Sequence, residues 1–221
     1  MDWQAFSLSL QLAGWSTLIL FGIGLVIAHT LAWRSFTGKS LIEAVVALPL
    51  VLPPTVLGYY LLVAFGRNSW AGQLFEQLTG TTLAFSFTGL LVASVVYSLP
   101  FAVQPMLRAF EAIPVDLREA AWCSGLSRWQ TFVRIEFPLA WPGVLTALVL
   151  TFAHTLGEFG VVLMVGGNIP GATKTISIAI YDRVQAFDPE AAGIMSLTLL
   201  IFSFVTISLV YIFNQRRGVL R

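Results

Sequence analysis

The chain consists mainly of long apolar stretches, and five of them are long enough to cross a bilayer. A helix needs about 20 apolar residues to span the hydrocarbon core. Stretches of this kind lie at about 10–33, 41–65, 83–107, 141–165 and 194–213. Trp3, Phe6 and Leu10 are spaced like one face of a helix, which predicts a short interfacial helix ahead of the first span. The pattern therefore predicts an all-α polytopic membrane protein with about five transmembrane helices in a single domain, 1–221.

Composition strengthens this interpretation. The 221 residues are 57% hydrophobic and only 10% charged, whereas a soluble domain carries roughly 25% charged residues. The single cysteine, Cys123, excludes an internal disulfide and a cysteine metal cluster. The N-terminus lacks the basic region of a signal peptide, so we expect the first apolar stretch to be a retained span.

One polar segment, from Asp116 to Pro138, interrupts the apolar pattern. Asp116 and Glu119 have the spacing of a capping box, as do Ser127 and Gln130. Gly125 lies between them where a helix often ends. The segment therefore predicts two short helices, 117–124 and 128–136, joined by a tight turn and closed by Pro138.

The basic residues predict how the chain is oriented. If the segment 108–140 is cytoplasmic, nine of the twelve basic residues are inside: Arg34, Lys39, Arg108, Arg118, Arg128, Arg134, Arg216, Arg217 and Arg221. Arg67, Lys174 and Arg183 are then outside. The positive-inside rule places the N-terminus outside, the C-terminus in the cytoplasm and the loop 166–192 outside.

Two stretches within the predicted spans are candidates for a gate. Pro49, Pro53 and Pro54 break the second span, and broken helices in membranes often line a transport route. Glu158 is the one acid deep in a predicted span, which makes it a functional candidate. The alternative is a structural glutamate that bonds Thr155, His154 or backbone freed by nearby glycines. The candidate gate residues are Pro53, Pro54, Thr155, Gly157, Glu158 and Gly160.

No enzyme site is predicted. Thr37-Gly38-Lys39-Ser40 resembles the end of a phosphate-binding loop, but Trp33 occupies the position of its first glycine. The two histidines, His29 and His154, have no acid partner at ligand spacing, so we expect no zinc or hydrolase site. We therefore expect no catalytic or metal-binding residue in the chain.

The polar segment carries a family pattern. Glu119-Ala120-Ala121, followed by Gly125, Ile135 and Pro138, resembles the EAA loop of ABC-importer permeases; Phe137 stands where leucine is usual. The resemblance implies the type I ABC importer transmembrane fold, with 119–124 as a coupling helix in a groove of a separate ATPase subunit that binds ATP and magnesium. The residues implied in coupling are Glu119, Ala120, Ala121, Ser124, Gly125 and Leu126. Ala121 and Gly125 are also expected to share a small-residue face open to a partner.

Two further stretches narrow the resemblance. Gly157-Glu158-Phe159-Gly160 with 167–171 is similar to permeases for sulfate, molybdate and tungstate, and 48–58 with 179–181 is most similar to the molybdate members. The resemblance covers about 41–185. It implies a homodimeric inner-membrane permease for molybdate, with two ATPase subunits, an external molybdate-binding protein and no cofactor of its own. Alternatives are a sulfate or tungstate permease, or a secondary transporter or channel that works alone. A carboxylate would repel a dianion. In this scheme Glu158 is therefore expected to bond backbone groups at the gate rather than to contact the transported ion.

Overall fold

The computed structural model describes residues 1–218, and Arg221, which the charge analysis assigns to the cytoplasm, lies outside them. The described residues form helices and no strands. The helices are α1 (Trp3–Trp33), α2 (Lys39–Val51), α3 (Pro54–Phe65), α4 (Trp70–Thr79), α5 (Phe87–Glu111), α6 (Val115–Cys123), α7 (Arg128–Thr131), α8 (Phe137–Gly157), α9 (Gly160–Gly166), α10 (Ile176–Gln185) and α11 (Pro189–Gly218). A π-helical turn, Phe132–Glu136, joins α7 to α8. The predicted all-α architecture is confirmed.

Within the described residues, four helical stretches are long and apolar enough to cross a membrane on their own: Trp3–Trp33, Phe87–Glu111, Arg128–Gly157 and Pro189–Ser208. α2 and α3 together form a fifth candidate, bent by 111°. The break lies at Pro53, and Pro54 starts α3 at a position where a proline costs no hydrogen bond. Pro49 lies inside α2 and does not break it. The second span is therefore broken as predicted, but at one point.

The first helix is longer than predicted. Asp2 caps α1 by accepting a hydrogen bond from the Ala5 amide at 2.9 Å, and the helix continues to Trp33 without interruption. The prediction of a separate interfacial helix ahead of the first span is therefore wrong. Of the three residues, Phe6 lies edge-on to Phe202 of α11 with ring centroids 5.6 Å apart, whereas Trp3 is exposed.

The fourth span also differs from the prediction. It starts before Trp141, because α7, the π-helical turn and α8 run on as one helix, Arg128–Gly157. Pro138 does not close the polar segment, because it lies in the first turn of α8, next to the π-helical turn. The helix ends at Gly157 rather than near 165, and α9 follows after a break at Glu158 and Phe159.

α1, α5 and α8 form the centre of the bundle, with α2 against α5, and α3 and α9 against each other. One apolar cluster fills the end near the polar segment and includes Leu31, Val103, Met106, Phe110 and Val144. A second cluster joins α3, α5 and α9, and a third joins α1, α9 and α10. The loop predicted at 166–192 contains α10, which packs on α1 and α11.

Candidate functional site

The two helix breaks predicted from separate parts of the sequence lie side by side. α3 begins at Pro54 and α9 begins at Gly160, and a Cβ built on Gly160 would lie only 2.6 Å from Cβ of Pro54. One turn further along, a Cβ on Gly58 would lie 2.8 Å from Cβ of Met164. Only glycine permits this close approach of α3 and α9. The two candidate gate segments therefore form one joint.

Glu158 lies at this joint, between the end of α8 and the start of α9. It directly follows α8, in extended conformation, and its side chain is buried with 5% exposure. Neither carboxylate oxygen makes a hydrogen bond to any residue that the structure describes. A buried carboxylate without partners is costly, so it is a strong functional candidate.

The partners expected for Glu158 bond elsewhere. The hydroxyl of Ser98 lies 2.9 Å from Nδ1 of His154 and 3.0 Å from Oγ1 of Thr155. The structure gives Glu158 no backbone partner either, so the expectation that it holds the gate backbone is wrong for this conformation. Gly157 ends α8 with open space around its α-carbon.

Sequence reasoning named Thr155 but missed the rest of a buried polar row in the bundle. Ser94 and Ser98 of α5, and Thr151 and Thr155 of α8, are all at most 2% exposed. The hydroxyls of Ser94 and Thr151 have no hydrogen-bond partner among the described residues. Each pair is four residues apart on its helix, and this spacing within an apolar span was the available signal.

At the other end of the bundle, the polar segment forms α6 and α7 as predicted, with one wrong cap. The capping box of Ser127 and Gln130 is confirmed, and Gly125 has a φ of +83°, which suits the turn between the helices. α6 instead begins after Pro114, and Asp116 makes no cap hydrogen bond. Glu119 is therefore not part of a capping box.

Of the residues implied in coupling, Glu119, Ala120, Ser124 and Gly125 are exposed, and Leu126 is half-buried. The Ser124 hydroxyl donates to the Ala120 carbonyl at 2.8 Å, and the Leu126 amide donates to the Ala121 carbonyl at 3.1 Å, so both close the end of α6. Ala121 is buried with 5% exposure. The expected open face of Ala121 and Gly125 is therefore wrong, because Ala121 packs α6 onto its own chain.

A buried ion network holds α6 on the bundle. Glu136 is 2% exposed; its Oε2 lies 2.6 Å from Nε2 of His29, and its Oε1 accepts from Nε of Arg118 at 2.6 Å. The guanidinium of Arg118 also stacks on Trp33, 3.8 Å from the ring centroid. These contacts join α6, the π-helical turn and α1. His29 has no acid partner at ligand spacing in the sequence, as predicted, but the fold brings it to Glu136, which is 107 residues away along the chain.

A smaller polar cluster lies on the loop predicted to be external. Asp182 of α10 accepts hydrogen bonds from Asn168 at 2.9 Å and pairs with Lys174 at 2.6 Å. Although partial burial opposes it, hydrogen bonding to Lys174 and Asn168 and the charges of Lys174 and Arg183 lower the pKa of Asp182. Across the described residues, no three histidine, cysteine or acidic side chains come together as a metal site.

Comparisons with known proteins agree with this architecture. The family model described as "Binding-protein-dependent transport system inner membrane component" matches residues 21–219. The "Molybdenum transport system permease protein ModB" of Azotobacter vinelandii is 49% identical over 210 residues, which cover 95% of this chain and 93% of that protein. The "Probable sulfate transport system permease protein cysT" of Chlorella vulgaris is 32% identical over 96% of this chain and 79% of that protein.

Among solved structures, a chain of a bacterial ABC transporter for import of the acidic polysaccharide alginate superposes with a TM-score of 0.79 at 18% identity. The match covers 96% of this chain and 78% of that chain. At this identity the likeness concerns the fold, and it confirms the predicted ABC importer transmembrane fold. The chain therefore belongs to the family of binding-protein-dependent transport system inner membrane components.

Proposed function

We propose that the chain is the permease subunit of a molybdate importer of the ABC class. The assignment of molybdate as the substrate rests on the 49% identity to a molybdenum permease over nearly the whole chain. The scheme includes two separate ATPase subunits that bind ATP and magnesium, an external molybdate-binding protein and a second copy of this chain. The chain itself then works without a cofactor or an ATP site, in the bacterial inner membrane.

The geometry supports a mechanical link from the ATPase side to the gate. One helix, Arg128–Gly157, runs from the segment beside α6 to the break at Glu158. Its 30 residues span about 45 Å at 1.5 Å per residue. Because the network of Glu136 fastens α6 to the near end of this helix, a movement of α6 is transmitted to the joint of α3 and α9.

The groups around the joint suit a dianion. Ser94, Ser98, Thr151 and Thr155 provide hydroxyl donors, which a tetrahedral oxyanion accepts from. Glu158 would repel the anion if both were charged and close together. In the proposed cycle, ATP binding moves α6, the joint opens toward the external binding protein, and hydrolysis resets it.

Exposed apolar surface supports the membrane and the second copy as partners. Val56, Tyr59, Tyr60 and Val63 of α3 are all at least 36% exposed. A patch of this kind needs lipid or protein cover. We place the N-terminus outside and the C-terminus in the cytoplasm on the basis of the positive charges, and no nucleic acid partner is proposed.

A sulfate permease is the second candidate, because the Chlorella relative at 32% identity is named for sulfate. Tungstate is a further alternative substrate, because it shares the shape and charge of molybdate. A stand-alone transporter or channel remains the alternative of another class, and it requires no ATPase.

Reconstitution tests these possibilities directly. The chain is placed in liposomes with its ATPase subunits and binding protein, and uptake of molybdate, tungstate and sulfate is measured with and without ATP. We expect ATP-dependent molybdate uptake that stops when the ATPase is left out. Uptake without the ATPase would favour the stand-alone transporter. Preferential uptake of sulfate would identify sulfate, rather than molybdate, as the transported ion.

A further inference from the structure

A cavity of about 310 Å³ lies between the end of α1 and the start of the polar helices. It is lined by His29, Thr30, Trp33, Arg34, Arg118, Trp122, Arg128 and Glu136. It is far from the helix breaks in the sequence and shares no residue with the candidate gate. At about 30 Å³ per water in the liquid, it could hold roughly ten waters, enough for a small hydrated ion.

The lining is strongly positive. Three arginines face one glutamate, which gives a formal charge of +2 with His29 neutral. Both oxygens of Glu136 are already engaged, one by Arg118 and one by His29. Arg34 and Arg128 are exposed and form no ion pair or side-chain hydrogen bond with any residue that the structure describes. The positive charge at the mouth of the cavity is therefore not balanced within the described part of the chain.

Arg118 is held in place before any ligand arrives. Its Nε donates to Glu136, and its guanidinium lies over two indole rings, 3.8 Å from the Trp33 centroid and 4.9 Å from the Trp122 centroid. Its terminal nitrogens make no hydrogen bond to a described residue. A guanidinium fixed in this way recognises oxyanions well, because little side-chain entropy is lost on binding.

We propose that this cavity is a binding site for a tetrahedral oxyanion with two negative charges. The three arginines come from three places in the chain: the residue after α1, the middle of α6 and the start of α7. A tetrahedral ion offers acceptor oxygens in all directions and can meet donors on several sides, whereas a carboxylate offers them in one plane. The charge of the ion matches that of the lining, and bridging waters fill the remaining volume.

The position gives such an ion a structural effect. It would join α1, α6 and α7 on the face that we propose to be cytoplasmic, beside the segment proposed to meet the ATPase. The inference goes beyond the proposed function, because it needs neither the ATPase nor the identity of the transported ion.

Calorimetric titration of the full-length chain in nanodiscs of phosphatidylcholine tests the site, with molybdate and inorganic phosphate as separate probes. The chain is used without ATPase, which has phosphate sites of its own. The pocket variant is the double substitution Arg34→Gln/Arg128→Gln. The control is Lys39→Gln/Arg134→Gln, which removes the same charge from neighbouring positions that do not line the cavity.

We expect saturable binding of at least one probe that weakens about tenfold or more in the pocket variant, since hydrogen bonds to charged groups are strong. The control should bind like the unsubstituted chain. No saturable binding of either probe, or equal binding by the pocket variant, would overturn the site. Since ATP-driven uptake is not part of this measurement, a failure here is separate from a failure of the proposed function.

A second arm identifies the source of the oxyanion. In nanodiscs that contain phosphatidylglycerol, a lipid headgroup phosphate that fills the cavity would weaken binding of the free probes. This result would support the site with lipid as its occupant. Binding that is unchanged by the anionic lipid would support a soluble oxyanion.

Discussion

Among the residues that the structure describes, two glutamates are buried, one at each end of α8, and their surroundings differ completely. Glu136 is 2% exposed and has both oxygens engaged at 2.6 Å, by His29 and by Arg118. Glu158 is 5% exposed and has no hydrogen-bond partner among the described residues. The same side chain thus occurs once in a complete network and once without partners.

The difference indicates two different roles. A buried carboxylate with matched partners stabilises one arrangement of the chain, because removing a partner exposes an uncompensated charge. A buried carboxylate without partners is costly in this conformation and gains from a change of conformation that supplies partners. Glu136 therefore fits a fixed attachment of α6, and Glu158 fits a moving part.

The largest effect is expected from breaking the complete network. Glu136→Gln leaves Arg118 with 15% exposure and no charge partner, and should lower the free energy of unfolding by about 3–5 kcal/mol. The control Glu111→Gln breaks the 2.7 Å pair with Arg108, which is 78% exposed, and should cost less than about 1 kcal/mol. Unfolding in mixed detergent micelles measures both. Equal losses would show that burial of the network contributes nothing.

The joint beside Glu158 should be the next most sensitive. Gly160→Ala places a methyl group 2.6 Å from Cβ of Pro54, so we expect a loss of about 1–3 kcal/mol from overpacking and reduced uptake. Gly193→Ala is the control, a glycine of α11 outside the candidate gate where an added Cβ meets nothing within 4 Å. Uptake and unfolding that are alike in the two variants would contradict the close contact of α3 and α9.

Glu158→Gln separates function from stability. Because the carboxylate has no partner to lose and its burial is costly, the substitution should leave the free energy of unfolding unchanged or raise it, while ATP-driven uptake should fall. A large loss of stability would show that Glu158 has a stabilising partner, as Glu136 has, and would contradict the contrast between the two residues. Full uptake with normal assembly would remove Glu158 from the gate.

Glu119 lies on the helix that the Glu136 network holds. It is exposed and takes no part in a cap, so Glu119→Gln should change stability by less than about 0.5 kcal/mol. If Glu119 contacts the ATPase, the variant hydrolyses ATP without matching uptake. Asp116→Asn, on the same helix, is the control. A normal ratio of uptake to hydrolysis in Glu119→Gln would remove it from coupling.

The partly buried pair of Asp182 and Lys174 should give the smallest effect, and one that depends on pH. Its pKa is lowered from an ordinary value of 3.8, so its contribution to stability is complete above pH 3.8 and is lost as the pH falls through the lowered pKa. Asp182→Asn should remove this part of the acid dependence, measured as unfolding midpoints between neutral and acid pH. An unchanged acid dependence would show that the pair adds nothing to folding.

The elements that could be predicted were those with local signals. The capping box of Ser127 and Gln130, the turn at Gly125 and the break at Pro53 each depend on residues within a few positions. The capping box of Asp116 failed because Pro114 starts α6 earlier and leaves Asp116 inside the first turn. Pro138 failed as a stop signal because the helix continues past this proline, directly after the π-helical turn Phe132–Glu136.

The sequence alone determined the apolar spans, the polar segment and the family pattern within it, because each rests on local composition and spacing. Only the tertiary structure decided which distant groups meet: His29 with Glu136, Pro54 with Gly160, and Ala121 with its own bundle. Such pairs depend on how helices pack, and one chain carries no local signal for contacts between residues a hundred positions apart. For the same reason, the opposite surroundings of Glu136 and Glu158 became visible only in the fold.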